Sequence, residues 1–173
     1  IYDERISSGL IGHLLAATNG AAVSRGASWL QTAMNTSVLP DGISLIENPN
    51  RPRVGGSRPF DAEGLCVAER QIVSDGFLKE WTLDLSTAAK LGLSSTGSAM
   101  RSPSSPPSPG VGNVELTQGE LSQKELISNM GNGLLITSLI GSSINETTGD
   151  YSRGASGFWI ENGEIAYPVS DVT

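Results

Sequence analysis

Residues 149–169 limit the possible folds more than any other stretch of the chain. Two apolar runs, Phe158-Trp159-Ile160 and Ile165-Ala166-Tyr167, flank Asn162-Gly163. Asn-Gly favours a type I′ turn, because both central residues must take positive φ, which Asn tolerates and Gly adopts freely. A two-residue turn of that kind joins antiparallel strands, so this part of the chain is predicted to be a β-hairpin. Upstream, Asp150, Tyr151 and Arg153 sit among small residues, with glycines at 149, 154 and 157 that let the backbone pass close to a neighbour. Spacing alone gives a tightly packed loop feeding a core hairpin.

At 173 residues the chain has the length of about one domain. It opens at Ile1 without an initiator methionine and stops at Thr173 just past a strand-like run, so it reads as a fragment of a longer protein. Twenty-one glycines and nine prolines predict many turns and short elements. No window approaches the ~20 apolar residues of a membrane helix. Eighteen acidic against eleven basic residues leave a net charge of −7, which repels a phosphate backbone, and the Lys and Arg residues are scattered. Direct nucleic-acid binding is therefore not expected. The single cysteine, Cys66, rules out an internal disulfide and fits a reducing compartment.

In chain order, residues 7–17 read as a helix capped by Ser7 or Ser8, with Leu10, Ile11, Leu14 and Leu15 as one apolar stripe and Asn19-Gly20 as its stop. Residues 21–34 give a second helical pattern, with Ala22, Val23, Trp29, Leu30 and Ala33 buried. Pro40-Asp41-Gly42 is a turn, residues 43–47 a short strand and residues 48–58 a loop. Residues 59–64 read as an exposed acidic turn behind a buried Phe60. A second hairpin spans residues 70–83 around Asp75-Gly76, with Phe77, Trp81 and Leu83 on one face. Residues 86–91 form a helix closed by Gly92. Residues 94–113, rich in serine and proline, are predicted to be a long surface loop. Val114 and Leu116 mark a strand, Ser122 and Glu125 form a capping box opening a helix to Met130, and residues 134–140 form a strand. Helices first, then hairpins with short helices between them, predict an α+β fold. Its sheet is expected to be mostly antiparallel and curved or barrel-like, in one domain over residues 1–173.

No catalytic constellation stands out. A zinc site needs three or four ligands, mostly His and Cys, and the chain has one of each, His13 and Cys66. His13 is expected to be a packed helix residue and Cys66 a small buried hydrophobe. The acid pairs Asp61/Glu63 and Asp150/Glu161 have the chemistry for acid–base work, although surface charge is the commoner meaning of such pairs.

Several blocks occur in order: Gly9-Leu10-Ile11-Gly12-His13-Leu14 leading into Asn19-Gly20-Ala21-Ala22-Val23-Ser24-Arg25-Gly26; Ser57-Arg58-Pro59-Phe60-Asp61-Ala62-Glu63-Gly64; Asp75-Gly76-Phe77-Leu78-Lys79; Ala89-Lys90-Leu91-Gly92-Leu93; and the whole of 149–169. Together they resemble the PmbA/TldE branch of the TldD/PmbA family, in its C-terminal domain. The resemblance implies that an N-terminal domain and the extreme C-terminus lie outside this chain. In that family TldD resembles a metallopeptidase with H-E-x-x-x-H on a helix. Setting that motif over Gly12-His13 puts Ser8 at the first His and Gly9 at the Glu, leaving His13 as a lone remnant. Ser8 does not replace imidazole on zinc, and Gly9 has no side chain to take a proton from bound water.

The resemblance therefore implies a non-catalytic subunit, without a metal or cofactor of its own, paired with a zinc-bearing TldD-like subunit or with itself. Such a complex would degrade or mature unfolded peptides in the cytoplasm, and the family's older label as a gyrase modulator implies at most an indirect link to DNA. Two alternatives stay open: an enzyme active by itself, and a scaffold whose partner is not a peptidase. The glycine spacing makes Asp150, Tyr151, Arg153, Gly154 and Gly157 candidates for binding a partner or peptide, by adding a strand through main-chain hydrogen bonds.

Overall fold

The computed structural model describes residues 1–172 and, apart from Ser142, their side chains. The elements in order are α1 (Glu4–Ala17), α2 (Gly20–Ser24), β1 (Leu45–Glu47), β2 (Arg70–Ser74), β3 (Phe77–Leu78), α3 (Leu85–Leu91), β4 (Ala99–Met100), β5 (Ser108–Pro109), β6 (Val114–Leu116), α4 (Gln123–Met130), β7 (Gly133–Ile144), β8 (Tyr151–Glu161) and β9 (Glu164–Val172). Helices and antiparallel hairpins bear out the α+β class. The barrel-like sheet does not appear. Among the described residues the strands fall into three sheets, ordered β3-β2-β1-β6, β4-β5 and β7-β8-β9. A barrel needs its first and last strands to pair, and among the described residues the end strands of the four-stranded and three-stranded sheets do not. The chain divides into two compact units, Ile1–Leu14 with Gln118–Thr173, and Leu15–Thr117.

The Leu15–Thr117 unit packs Val23, Leu30, Leu45, Ile72, Val73 and Leu78 into its core. Its hairpin turns through Asp75 and Gly76, both at positive φ (48° and 81°), as type I′ requires. The turn sets Val73 opposite Leu78 and Ser74 opposite Phe77. Residues directly opposite share a sheet face, so Leu78 joins Val73 inside and Phe77 is left exposed. The face proposed for Phe77, Trp81 and Leu83 is thus corrected, because β3 ends at Leu78 and period two does not continue.

The helix expected over 21–34 is also corrected. Asn19 caps α2 by accepting the Ala21 N–H, but the helix stops at Ser24, and Gly26 takes φ 72°. From there the chain turns, held by the Ser28 hydroxyl, which donates to Ala17 O and accepts from Leu30 N–H (3.1 Å). Leu30 is buried as expected and Trp29 is exposed.

The acidic turn is the reverse of its prediction: Phe60 is 61% exposed and Asp61 only 3%. One Asp61 oxygen accepts the N–H groups of Glu63 and Leu65 (2.9 Å each), and the other accepts that of Ala99 (3.1 Å). Glu47 is likewise buried, at 1% exposure. Arg70 Nε donates to it at 2.8 Å, Arg58 Nη2 at 3.4 Å and the Gly112 N–H at 2.6 Å, while Arg70 Nη2 also donates to Thr82 Oγ1. These two carboxylates hold the serine- and proline-rich stretch near both its ends. Within it, β4 and β5 pair as a two-stranded sheet.

In the other unit, residues 1–3 pair with β7 at Ile136 before α1 begins. The helix starts at Glu4, a turn earlier than expected. Asp3 O accepts from Ile6 and Ser7, and the Asp3 carboxylate accepts the Arg5 N–H. Ser7, expected as a cap, lies inside the helix and donates to Glu4 O. Ser122 and Glu125 make the predicted capping box of α4. The β8–β9 hairpin turns through Asn162 (φ 50°) and Gly163 (φ 79°). Gly163 lies so close to α4 that a Cβ there would sit 2.9 Å from Ser128 O.

Three outcomes follow from this packing. Glu47→Gln leaves Arg58 without its anion and Arg70 with only the more exposed Glu80, and should lower unfolding free energy by about 3 kcal/mol, read by urea denaturation. A Cβ on Gly157 would land on the Leu135 carbonyl, whereas one on Gly154 meets Ile140 at ordinary contact distance. Gly157→Ala should therefore cost about 1–3 kcal/mol, and Gly154→Ala no more than about 0.5 kcal/mol. The Ser122 hydroxyl and N–H hold the Glu125 carboxyl below the usual carboxylate range. That contribution is present above the unfolded value, about pH 4.3, and is lost as pH falls through the lowered folded value. The carbon chemical shifts of α4 should lose helicity over that window, and Glu125→Gln should flatten the change.

Candidate functional site

The predicted site residues lie on α1 and β8, in the unit Ile1–Leu14 with Gln118–Thr173. On α1, Ser8 and Gly9 are exposed, and nothing approaches within 4 Å of a Cβ built on Gly9 or Gly12. His13, half-buried, meets Tyr151 edge-on with ring centroids 5.7 Å apart. A residue of the helix and one of the strand, far apart in sequence, therefore share one place.

β8 is the middle strand of its sheet. It pairs with β7 from Tyr151 to Ile160 and with β9 from Ala155 to Glu161. Gly157 lies where ladder irregularities on both sides shift the register, and it is buried against β7. Its small size serves this sheet directly. Gly154 pairs with Ile140 and has room around it. Asp150 precedes the strand, and its Oδ2 accepts from the Thr148 hydroxyl at 2.6 Å. Tyr151 and Arg153 are two residues apart on β8, and alternation sends both side chains to one face. The Arg153 Nε is buried without a hydrogen-bond partner.

Sequence reasoning missed Tyr2. The bridge to Ile136 brings it to β7. Burial raises its phenol above the ordinary tyrosine value, and the neighbouring Tyr151 adds to the rise, while Arg153 opposes it. No motif marks Tyr2, because its place depends on a pairing with a residue more than a hundred positions away. The structure thus brings Tyr151, Arg153 and His13 together with Tyr2, and leaves Ser8, Gly9, Asp150 and Gly157 outside that group.

The other acid–base candidates have structural partners. Asp61 holds three backbone N–H groups, and Glu63 accepts the Leu85 N–H at 2.9 Å. Asp150 and Glu161 stand at opposite ends of β8, on the order of 30 Å apart. Cys66, expected to be buried, is exposed at a cleft shared with Glu69, Arg70 and Glu80.

The zinc implied by the family resemblance can be tested against this donor set. Among the described residues no three His, Cys, Asp or Glu side chains converge. Position 8 carries a hydroxyl, position 9 no side chain, and the one imidazole lies against a phenol ring. The described residues do not fit a catalytic zinc. Among the described residues no helix is long and apolar enough to cross a membrane.

The family model described as the PmbA/TldA metallopeptidase C-terminal domain matches residues 1–173. Metalloprotease PmbA of Escherichia coli O157:H7 is 40% identical over 173 residues, which are 100% of this chain and 36% of that protein. The crystal structure of a candidate modulator of DNA gyrase from Bacteroides thetaiotaomicron is similar with a TM-score of 0.87 and 31% identity, covering 98% of this chain and 36% of that one. TldE from Thermococcus kodakarensis, at 24% identity and a TM-score of 0.77 over 90% of this chain and 36% of that one, shares the fold. This chain spans well under half the length of the curated relatives it matches. Matched over residues 1–173 by the model of the family's C-terminal domain, and 40% identical throughout to a PmbA protein, the chain belongs to the PmbA/TldD metallopeptidase family.

Proposed function

We propose that the chain is part of a non-catalytic subunit in a TldD/TldE-type zinc metallopeptidase complex that degrades or matures unfolded peptides. One observation carries this reading. The α1 positions that the family motif gives to a zinc ligand and a general base hold the exposed Ser8 and Gly9, while His13 packs on Tyr151. A family built around a metallopeptidase motif, in a chain whose described residues lack its donors, is consistent with a division of labour between two subunits. The zinc then belongs to a TldD-like partner, and the proposed location is cytoplasmic. A homodimer is the other assembly compatible with the reading.

The residues 150–157 are proposed to contact the partner or the peptide. Gly157 is taken up by the close approach to Leu135 of β7, so the portion Tyr151–Gly154 carries that role. Gly154→Val is the informative variant there, because Gly157→Val would disturb β8 against β7 before any partner was involved.

The test uses the full-length protein, a TldD-like subunit, and the two mixed. Peptidase activity on an unfolded peptide should appear on mixing and be absent from the full-length protein alone, which should also hold zinc well below one ion per chain. Gly154→Val should weaken co-purification of the pair while leaving the unfolding midpoint near that of the wild type. Stoichiometric zinc together with activity in the isolated protein would overturn the reading.

A further inference from the structure

Arg153 differs from every other cation among the described residues. Arg5, Arg51, Arg58 and Arg70 are paired with carboxylates, and the other unpaired Arg and Lys side chains are exposed to water. Arg153 is half-buried, has no carboxylate within ion-pair distance among the described residues, and keeps its Nε buried without a partner. Asp150, just before the strand, is engaged by the Thr148 hydroxyl. A guanidinium partly withdrawn from water carries a desolvation cost that an anion offsets.

The groups around it are suited to an anion. Tyr151 shares its face of β8, Tyr2 is close enough for its phenol to feel the Arg153 charge, and His13 contacts Tyr151. Both phenols and the guanidinium offer N–H or O–H donors, and no acid in the group competes for them. Planar, bidentate recognition by arginine favours a carboxylate. In a chain of net charge −7, this is a local positive site within a repelling surround.

We propose that Arg153, with Tyr2, Tyr151 and His13 around it, forms a carboxylate-binding site for an extended peptide, taking either its C-terminal carboxylate or an acidic side chain. The proposal deepens the peptide-handling reading above and rests on it for the class of ligand. Arg153 supplies the charge, and the phenols orient the carboxylate.

The test is calorimetric titration of the full-length protein with four acetylated hexapeptides in two matched pairs. One pair differs only in a free or amidated C-terminus. The other is amidated throughout and differs only in a central Glu or Gln. At least one acidic peptide should bind about tenfold or more tightly than its neutral twin. The pair that shows the gap identifies the source of the carboxylate. Arg153→Gln should abolish the gap, Arg153→Lys should keep part of it, and Tyr2→Phe should narrow it. Equal affinity within both wild-type pairs would overturn the proposal without recourse to any variant, as would a gap that survives Arg153→Gln in a folded protein. Complex formation with the TldD-like subunit is read separately by co-purification, so a failure of the site and a failure of the two-subunit reading are distinguishable.

Discussion

The buried carboxylate of Glu47 organises the unit Leu15–Thr117. It ends β1, receives Arg70 from β2 and Arg58 from the following loop, and accepts the Gly112 N–H from the far end of the serine- and proline-rich stretch. Removing a carboxylate from water is costly, and only dense compensation makes the position tolerable. Here the compensation comes from segments that share no ladder with one another, so satisfying Glu47 also decides where they lie. Asp61 does the same on a smaller scale by gathering the N–H groups of Glu63, Leu65 and Ala99. A buried acid held by three backbone N–H groups serves as a fixed acceptor, which accounts for the structural role of Asp61, a residue with the chemistry for acid–base work.

The other unit depends on backbone rather than charge. Its core is small, chiefly Leu14, Leu135, Ala155 and Ile160, and its order comes from long ladders among β7, β8 and β9. Gly157 permits the approach to Leu135 that keeps the ladder continuous across its irregularities. α1 leaves the edge of this sheet at residues 1–3 and carries His13 to Tyr151. What remains at that place is a set of hydrogen-bond donors around Arg153, a composition suited to holding a charged group rather than activating water.

Much of the local structure was legible in the residues. Asp75-Gly76 and Asn162-Gly163 dictate type I′ turns because few residues tolerate two successive positive φ values. Ser122 with Glu125 starts α4, and Gly92 ends α3 in the left-handed conformation, because each satisfies backbone groups the helix leaves free. Residues 21–34 were misread because small apolar residues suit a helix and a tight turn equally, and a side-chain bond from Ser28 to Ala17 decided between them. Phe60 and Asp61 exchanged their expected places for a similar reason: the N–H groups of residues 63, 65 and 99 converge there, which no hydropathy pattern records.

By itself the sequence determined the turns, the caps, the antiparallel hairpins and the family, since each depends on residue type within short blocks. The tertiary structure alone decided that the strands form three sheets rather than a barrel. It also placed Glu47 and Asp61 inside, and gathered Tyr2, His13, Tyr151 and Arg153 in one place. Those outcomes depend on desolvation and on partners many residues away, and a linear pattern carries neither.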